Sequence, residues 1–264
     1  MTIRKKVSLS KTLSTAFRKS IALIIFFALW QILPTVGIIN RQFIPPIGDI
    51  LVELGKLAGT GEIFLHVGAS MSRAIEGFAL SVVVGIPLGF LLAGWFKTFQ
   101  ELLDPLLQVF SQINPFTLFP IFILFFGIGE IAKVAIIFWV AIWPVLFNTI
   151  NGVKTIDPLL IKGARGMATP KLALFYKVVL PGAAPLIFAG IKSSIGTAFL
   201  MLIAAEMIGA SKGLGFMILN AENNYNIKKL YAGAFTIAVL GIAVTKLVVL
   251  IEKHVITWKD TSAI

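Results

Sequence analysis

Apolar runs of about twenty residues recur along this chain, separated by short polar or basic segments, and that recurrence limits what it can fold into. Such a run crosses a bilayer as an α-helix, because hydrocarbon offers the backbone no hydrogen-bond partner outside the helix itself. With 58% hydrophobic residues, 13% charged residues and a mean hydropathy of +0.94, the chain lies far from the composition of soluble domains. Six spans would use about 120 residues. The expected fold class is therefore an all-α integral membrane protein with six transmembrane helices. A net charge of +11 would suggest nucleic acid in a soluble protein. Here the excess of Lys and Arg on the cytoplasmic side and anionic lipid headgroups explain it, and no nucleic-acid partner is expected. The absence of cysteine excludes a disulfide framework, a thiolate metal site and a cysteine nucleophile.

The first 20 residues form a basic tail with Arg4, Lys5, Lys6, Lys11, Arg18 and Lys19, followed by an apolar run from Ile21 through Pro34 to Ile39. No small-x-small cleavage site follows Leu33, so this run reads as an uncleaved first span rather than a signal peptide. The stretch Asn40 to Arg73 is more polar, and Ile47, Ile50, Leu51, Leu54 and Leu57 recur at helical spacing within it. A short amphipathic helix at the outer face is expected there. Further spans are expected at about 77–95, 103–126, 131–150, 183–207 and 231–251. The third starts from an Asp104 cap with Pro105 in its first turn, after a short turn carrying Lys97. Gly85 and Gly89 make a small-xxx-small pair suited to helix packing. Lys154, Lys162, Arg165, Lys171 and Lys177 put the 151–181 loop in the cytoplasm, and Lys253 and Lys259 put the 253–264 tail there too. Both termini are then cytoplasmic.

Several chemistries are missing. Gly55-Lys56 is followed by Leu57, so no P-loop exists to hold a nucleotide. His66 and His254 form no His-Glu-x-x-His pattern and read as interfacial or solvated. No catalytic residue and no metal ligand is assigned. Gly209, Gly213 and Gly215 read as a flexible outer turn, and Glu130 with Lys133 as an exposed structural pair.

The 151–181 loop carries two cap signals, Asp157 before Pro158 and Thr169 before Pro170, which predict two short helices joined near Ala168 and ending at Leu180-Pro181. Gly163, Ala164, Gly166 and Ala168 would let another surface approach closely. The loop resembles that of the permeases of type I ABC importers (MetI-like), whose pattern is Glu-Ala-Ala, three residues, Gly, nine residues, Ile-x-Leu-Pro. Lys162-Gly163-Ala164 stands at the first element, Ala168 at the glycine and Val178-Val179-Leu180-Pro181 at the last. Lys162 and Ala168 depart from the pattern, so a turn at Ala168 must avoid a positive φ or accept strain.

Phe43-Ile44-Pro45-Pro46, Ala69-Ser70-Met71-Ser72-Arg73, Gly85-Ile86-Pro87-Leu88-Gly89, Phe126-Gly127-Ile128-Gly129-Glu130, Ala204-Ala205-Glu206 and Lys212-Gly213-Leu214-Gly215 are similar to the nitrate, sulfonate, taurine and bicarbonate branch of that family. The resemblance implies a type-1 transmembrane domain over 67–252, after a first helix and outer segment over 21–66. It implies a multi-pass protein of a bacterial or archaeal inner membrane. It also implies a docking loop at Lys162, Gly163, Ala164, Ala168, Leu180 and Pro181, and a second permease copy. ATP and Mg would be held by two partner ATP-binding subunits, with no cofactor on this chain, and a periplasmic or lipoprotein solute-binding protein would deliver the solute. A small oxyanion or sulfonate is the implied cargo, a vitamin precursor or heterocycle the alternative.

Within the spans, Ser111, Gln112, Asn114 and Thr117, interrupted by Pro115 and Pro120, either line a pathway or mark a kink with interhelical hydrogen bonds. Lys192, Gly196, Phe199, Ile203 and Glu206 share one helical face. Lys192 either draws an anion or reaches to the headgroups, and lies about 21 Å along the helix from Glu206. An ion-driven carrier would need mid-membrane carboxylates, which the span centres almost lack. A membrane scaffold or receptor would have no use for the proline-broken polar span.

Overall fold

The computed structural model describes residues 9–95 and 97–257, so Arg4, Lys5, Lys6 and Lys259 lie outside the described residues. Every regular element among the described residues is helical. In order these are α1 (Leu9–Thr35), α2 (Ile47–Gly59), α3 (Glu62–Phe90), α4 (Lys97–Gln112), α5 (Pro115–Phe126), α6 (Glu130–Lys154), α7 (Pro158–Gly166), α8 (Lys171–Leu174), α9 (Leu180–Gly209), α10 (Leu214–Asn223) and α11 (Ile227–Val255). Two π-helical turns, Leu91–Trp95 and Phe175–Val179, follow α3 and α8.

The chain divides into two compact units. The first holds residues up to Ile63 together with Asn220–Ala232. In it, α2 starts after Pro46, carries Asp49 in its first turn and Lys56 in its last, and buries Ile50 and Leu57. Those charges oppose the helix dipole at each end. Trp30 Nε1 donates to the Pro45 carbonyl at 3.2 Å and the Gly48 N–H donates to Gln31 Oε1 at 3.0 Å, which fasten α1 to α2. Lys228 pairs with Asp49 at 2.9 Å and Lys229 with Glu62 at 2.5 Å.

The second unit spans Phe64–Leu219 and the residues from Gly233 on. Its centre is the antiparallel pair of α6 and α9. Ile137 and Ala141 on α6, four residues apart, pack with Ala198 and Leu202 on α9, and Ile136 packs with Ala205, all enclosed. The backbones come close because Gly190 carries no Cβ: one added there would sit 2.7 Å from the Pro144 carbonyl. Gly85 and Gly89 let α3 lie against Val145 and Thr149 of α6 in the same way.

Among the described residues, four helical stretches are long and apolar enough to cross a membrane: Glu62–Gly94, Glu130–Lys154, Lys171–Gly209 and Ile227–Val255. The helix that carries the second expected span, about 77–95, begins well upstream of it, at Glu62. The apolar part of α1, Ile21–Thr35, is shorter than a full span. The expected continuous third span is broken. Gln100–Gln112 and Pro115–Phe126 meet at 92°. Pro115 has no N–H to give and forces Asn114 out of the helical region, to ψ 121°. Asp104 is not a cap: α4 begins upstream at Lys97, where Gln100, Glu101, Leu102 and Leu103 favour helix, and runs on through Pro105.

Candidate translocation groove, charge knot and coupling surface

Asp157 caps α7 as expected, its Oδ1 accepting from the Leu159 N–H at 2.8 Å with Pro158 in the first turn. The helix closes in a Schellman arrangement, with the Ala168 N–H on the Arg165 carbonyl at 3.0 Å and the Thr169 N–H on the Ala164 carbonyl at 3.2 Å. Ala168 therefore takes φ +53°, the left-handed conformation that glycine adopts freely. Thr169 does not cap the next helix: α8 starts at Lys171, so the cap position falls on Pro170, which has no side-chain acceptor. The second short helix does not stop at Leu180-Pro181 either. It runs through the π turn into α9 as one helical stretch, Lys171–Gly209. Lys162, Gly163 and Ala168 are exposed and the Gly163 Cβ position meets only open space. Ala164 is buried against its own chain and Leu180 and Pro181 are half-buried in the start of α9. Leu159, Leu160, Met167, Leu172 and Tyr176 are exposed on the same segment.

At the opposite ends of α6 and α9, residues remote in sequence form a closed charge knot. Arg73 Nη1 donates to Glu206 Oε1 at 2.6 Å and to the Lys212 carbonyl at 2.7 Å. Its Nη2 donates to Glu130 Oε1 at 2.9 Å, and its Nε also donates to Glu130. Lys133 reaches Glu130 at 3.1 Å. Ser70 Oγ donates to the Glu206 carboxylate at 2.8 Å and accepts from the Leu214 N–H at 2.9 Å. The Gly215 N–H donates to Glu206 Oε2 at 2.9 Å, and the Gly213 N–H to His66 Nδ1 at 3.1 Å.

Two bases meet two acids, of which Glu206 is buried while the Glu130 side chain is 61% exposed, so the knot reaches the surface at Glu130. The turn expected to be flexible is pinned instead: Gly213 has φ +127°, and a Cβ on it would land on the Glu206 carboxylate. Glu206, 0% exposed, is enclosed within this knot. The Glu130–Lys133 pair is exposed as expected on its Glu130 side, whereas Lys133 is buried.

Lys192 also finds a partner, Glu252 at 2.8 Å, which neutralises the charge expected to draw an anion or seek headgroups. Phe199 packs on the apolar cluster of Ala74, Ile137, Ala141, Ala198 and Leu202. The shared face on α9 is real as spacing, but its members serve an ion pair, a core and the knot. Asn114 is the cap of α5, its Oδ1 accepting from the Phe116 N–H at 2.9 Å, and Thr117 is exposed one turn on.

Gln112 lies in a polar groove of about 780 Å³ between α4 and α6, lined on the α4 side by Gln100, Asp104, Gln108 and Ser111 and across it by Phe147, Asn151 and Lys154. Sequence reading found Gln112 and Ser111. It missed Gln100, Asp104 and Gln108, although they repeat every fourth residue with Gln112, because Asp104 was taken as the start of the helix.

Apolar helices packed in a close antiparallel pair, a short capped helix between them and a proline-broken apolar helix pair are the features of an α-helical membrane protein. Residues 85–257 match the family described as binding-protein-dependent transport system inner membrane component, and the chain belongs to that family. It is a permease subunit of an ABC importer, working in an inner membrane with ATP-binding and solute-binding partners, and a transport subunit rather than an enzyme. A Bacillus subtilis (strain 168) protein named for aliphatic sulfonates transport as a permease is 34% identical over 237 residues, 90% of this chain and 86% of that one. The taurine transport system permease protein of Escherichia coli (strain K12) is 30% identical over 223 residues, 83% and 81%. The nitrate import permease protein of Leptolyngbya laminosa is 30% identical over 251 residues, 93% and 90%. The solved MetNI methionine ABC transporter in inward-facing conformations shares the fold, with TM-score 0.59 at 19% identity, covering 74% of this chain and 94% of that one.

Proposed function

We propose that two copies of this chain form the pore of an importer for a small sulfonate or oxyanion. Two ATP-binding subunits holding ATP and Mg dock on the 151–181 segment, and a periplasmic or lipoprotein solute-binding protein delivers the cargo. In this reading α1 and the bent α4–α5 pair complete six spans and both termini are cytoplasmic. The relatives named for aliphatic sulfonates, taurine and nitrate support the cargo class.

The observation that carries the reading is the exposed apolar set Leu159, Leu160 and Met167 on a loop rich in Lys and Arg. Apolar side chains outside the spans have neither lipid nor core to cover them, and a partner protein supplies that cover. Closure of the ATPases on nucleotide then displaces the segment. The uninterrupted helical stretch Lys171–Gly209 carries the displacement along about 58 Å. Glu206 at its far end is tied to Arg73 of α3, and through Arg73 to Glu130 of α6, so the three helices move as one.

The test is co-purification of the tagged permease with the ATPase of its own operon, native and with Gly163→Trp or Leu159→Glu. The native chain should retain the ATPase and each variant should lose it while still inserting in the membrane. An ATPase absent from the native complex, or retained by both variants, overturns the reading.

A further inference from the structure

We propose that the outward faces of α3 and α11 meet a second copy of this chain, with Glu76 of each copy in an ion pair with Lys246 of the partner subunit. This rests on the two-copy pore proposed above and names the surface through which the copies join.

Charged residues are few along the four apolar stretches, and most are matched within the chain. Arg73, Glu130, Lys133 and Glu206 share the knot, and Lys192 pairs with Glu252. Away from the ends of those stretches, Glu76 on α3 and Lys246 on α11 are exposed and have no ion-pair partner among the described residues. Glu76 Oε1 accepts from Ser72 Oγ of its own helix at 2.7 Å, a neutral donor that leaves the charge uncompensated. Ionisable side chains inside spans are costly facing lipid and almost always face protein or water. Around them the faces are apolar: Leu80 and Val83 are exposed beside Glu76, and Ile242 and Leu250 beside Lys246.

The acid and the base lie at one depth. Ala74 clusters with Ala198 and Phe90 with Ala183, while Val244 lines a small cavity with Ile195 and Phe199 and Lys192 binds Glu252, so α3 and α11 both run antiparallel to α9. Ala74 and Phe78 line that same cavity, which puts Val244 level with their turn of α3. Lys246, two residues further on, comes within about 5 Å of the level of Glu76 along the helix axes. Two copies related by a twofold axis along the membrane normal keep every residue at its own depth. An acid and a base can pair between them only when level in this way, and symmetry then makes the pair twice.

Lipid does not serve both residues. A headgroup phosphate could meet Lys246 at the end of its long stem, but it repels Glu76, whose short side chain reaches no headgroup. A second copy offers each residue its opposite charge.

The native chain contains no cysteine, so introduced thiols can be read without background from this subunit. Two differently tagged copies are expressed together in the full importer, one with Glu76→Cys and the other with Lys246→Cys, and the membranes are treated with a short bis-maleimide. A cross-linked species carrying both tags should form, and Val83→Cys in place of Glu76→Cys, about 10 Å further along α3, should give about fivefold less of it. In chains without cysteine, Lys246→Glu should lower recovery of one tag with the other about tenfold in detergent, and adding Glu76→Lys should restore it. No cross-link while the native tags still co-purify overturns the proposal and leaves the two-copy pore standing. Native tags that do not co-purify overturn both. Recovery unchanged by Lys246→Glu, or lost and restored by added anionic lipid rather than by Glu76→Lys, overturns the pairing, the second result assigning Lys246 to a headgroup.

Discussion

The charge knot and the polar groove sit at opposite ends of α6, and they treat polar groups in opposite ways. In the knot, Arg73, Glu130, Lys133, Ser70 and Glu206 use their donors and acceptors on one another and on the turn at Lys212 to Gly215. In the groove, Asp104 and Lys154 stand without ion-pair partners among the described residues and Gln100 Oε1 lacks a donor. Saturated charge fixes one backbone arrangement, because any movement breaks several bonds in a low-dielectric setting. Unsaturated polar groups in a roomy space hold nothing together and are free to be satisfied by something that passes. Charge inside a membrane protein is thus structural or functional according to what it already touches.

The sharpest way to break the comparison is to unpair the knot. Glu206→Gln leaves Arg73 without its buried countercharge and should destabilise the fold by about 3–5 kcal/mol, read as a large fall in the thermal midpoint of the purified importer in detergent. A midpoint near the native one would mean that the knot is dispensable. Gly213→Ala adds a methyl where the Glu206 carboxylate sits and disfavours φ +127°. It should cost about 2–3 kcal/mol by the same measurement.

An intermediate effect of opposite sign is expected at the docking loop. Ala168→Gly relieves a left-handed alanine and should raise stability by about 1 kcal/mol, with ATPase co-purification retained. The smallest effect is predicted in the groove, where Asp104→Asn breaks no ion pair and should shift stability by less than about 0.5 kcal/mol. A large destabilisation there would erase the distinction between the two regions.

Much of this was legible in the residues. The Asp157-Pro158 signal gave the start of α7, and the Gly85 and Gly89 pair gave the packing of α3 on α6. The motif residues Ser70, Arg73, Glu130, Glu206, Gly213 and Gly215 were all recognisable as shared with the family. Their convergence was not, since Arg73 and Glu206 are 133 positions apart and no local periodicity encodes a bond across that distance. Hydropathy also gave no sign that the helix of the second span continues upstream to Glu62, since it counts Arg73 only as a charge, whereas the fold pairs it with two carboxylates. The break at Asn114-Pro115 was visible as a kink, but its size depends on how α5 packs through Phe119 onto Ile136 and Met201.

The bend in the third span gives it an uneven hydration. Asn114 alone accepts from the amides of Phe116, Thr117 and Leu118, through its side chain and its own carbonyl, so the start of α5 is sealed. At the end of α4 the Phe110 carbonyl accepts from the Ile113 N–H at 3.3 Å, while a helix leaves its remaining final acceptors without internal partners. Water is therefore drawn to the α4 side of the break, the side on which Gln112 and the groove lie. The chain carries its own moisture into a layer that has none, and does so with one asparagine and one proline.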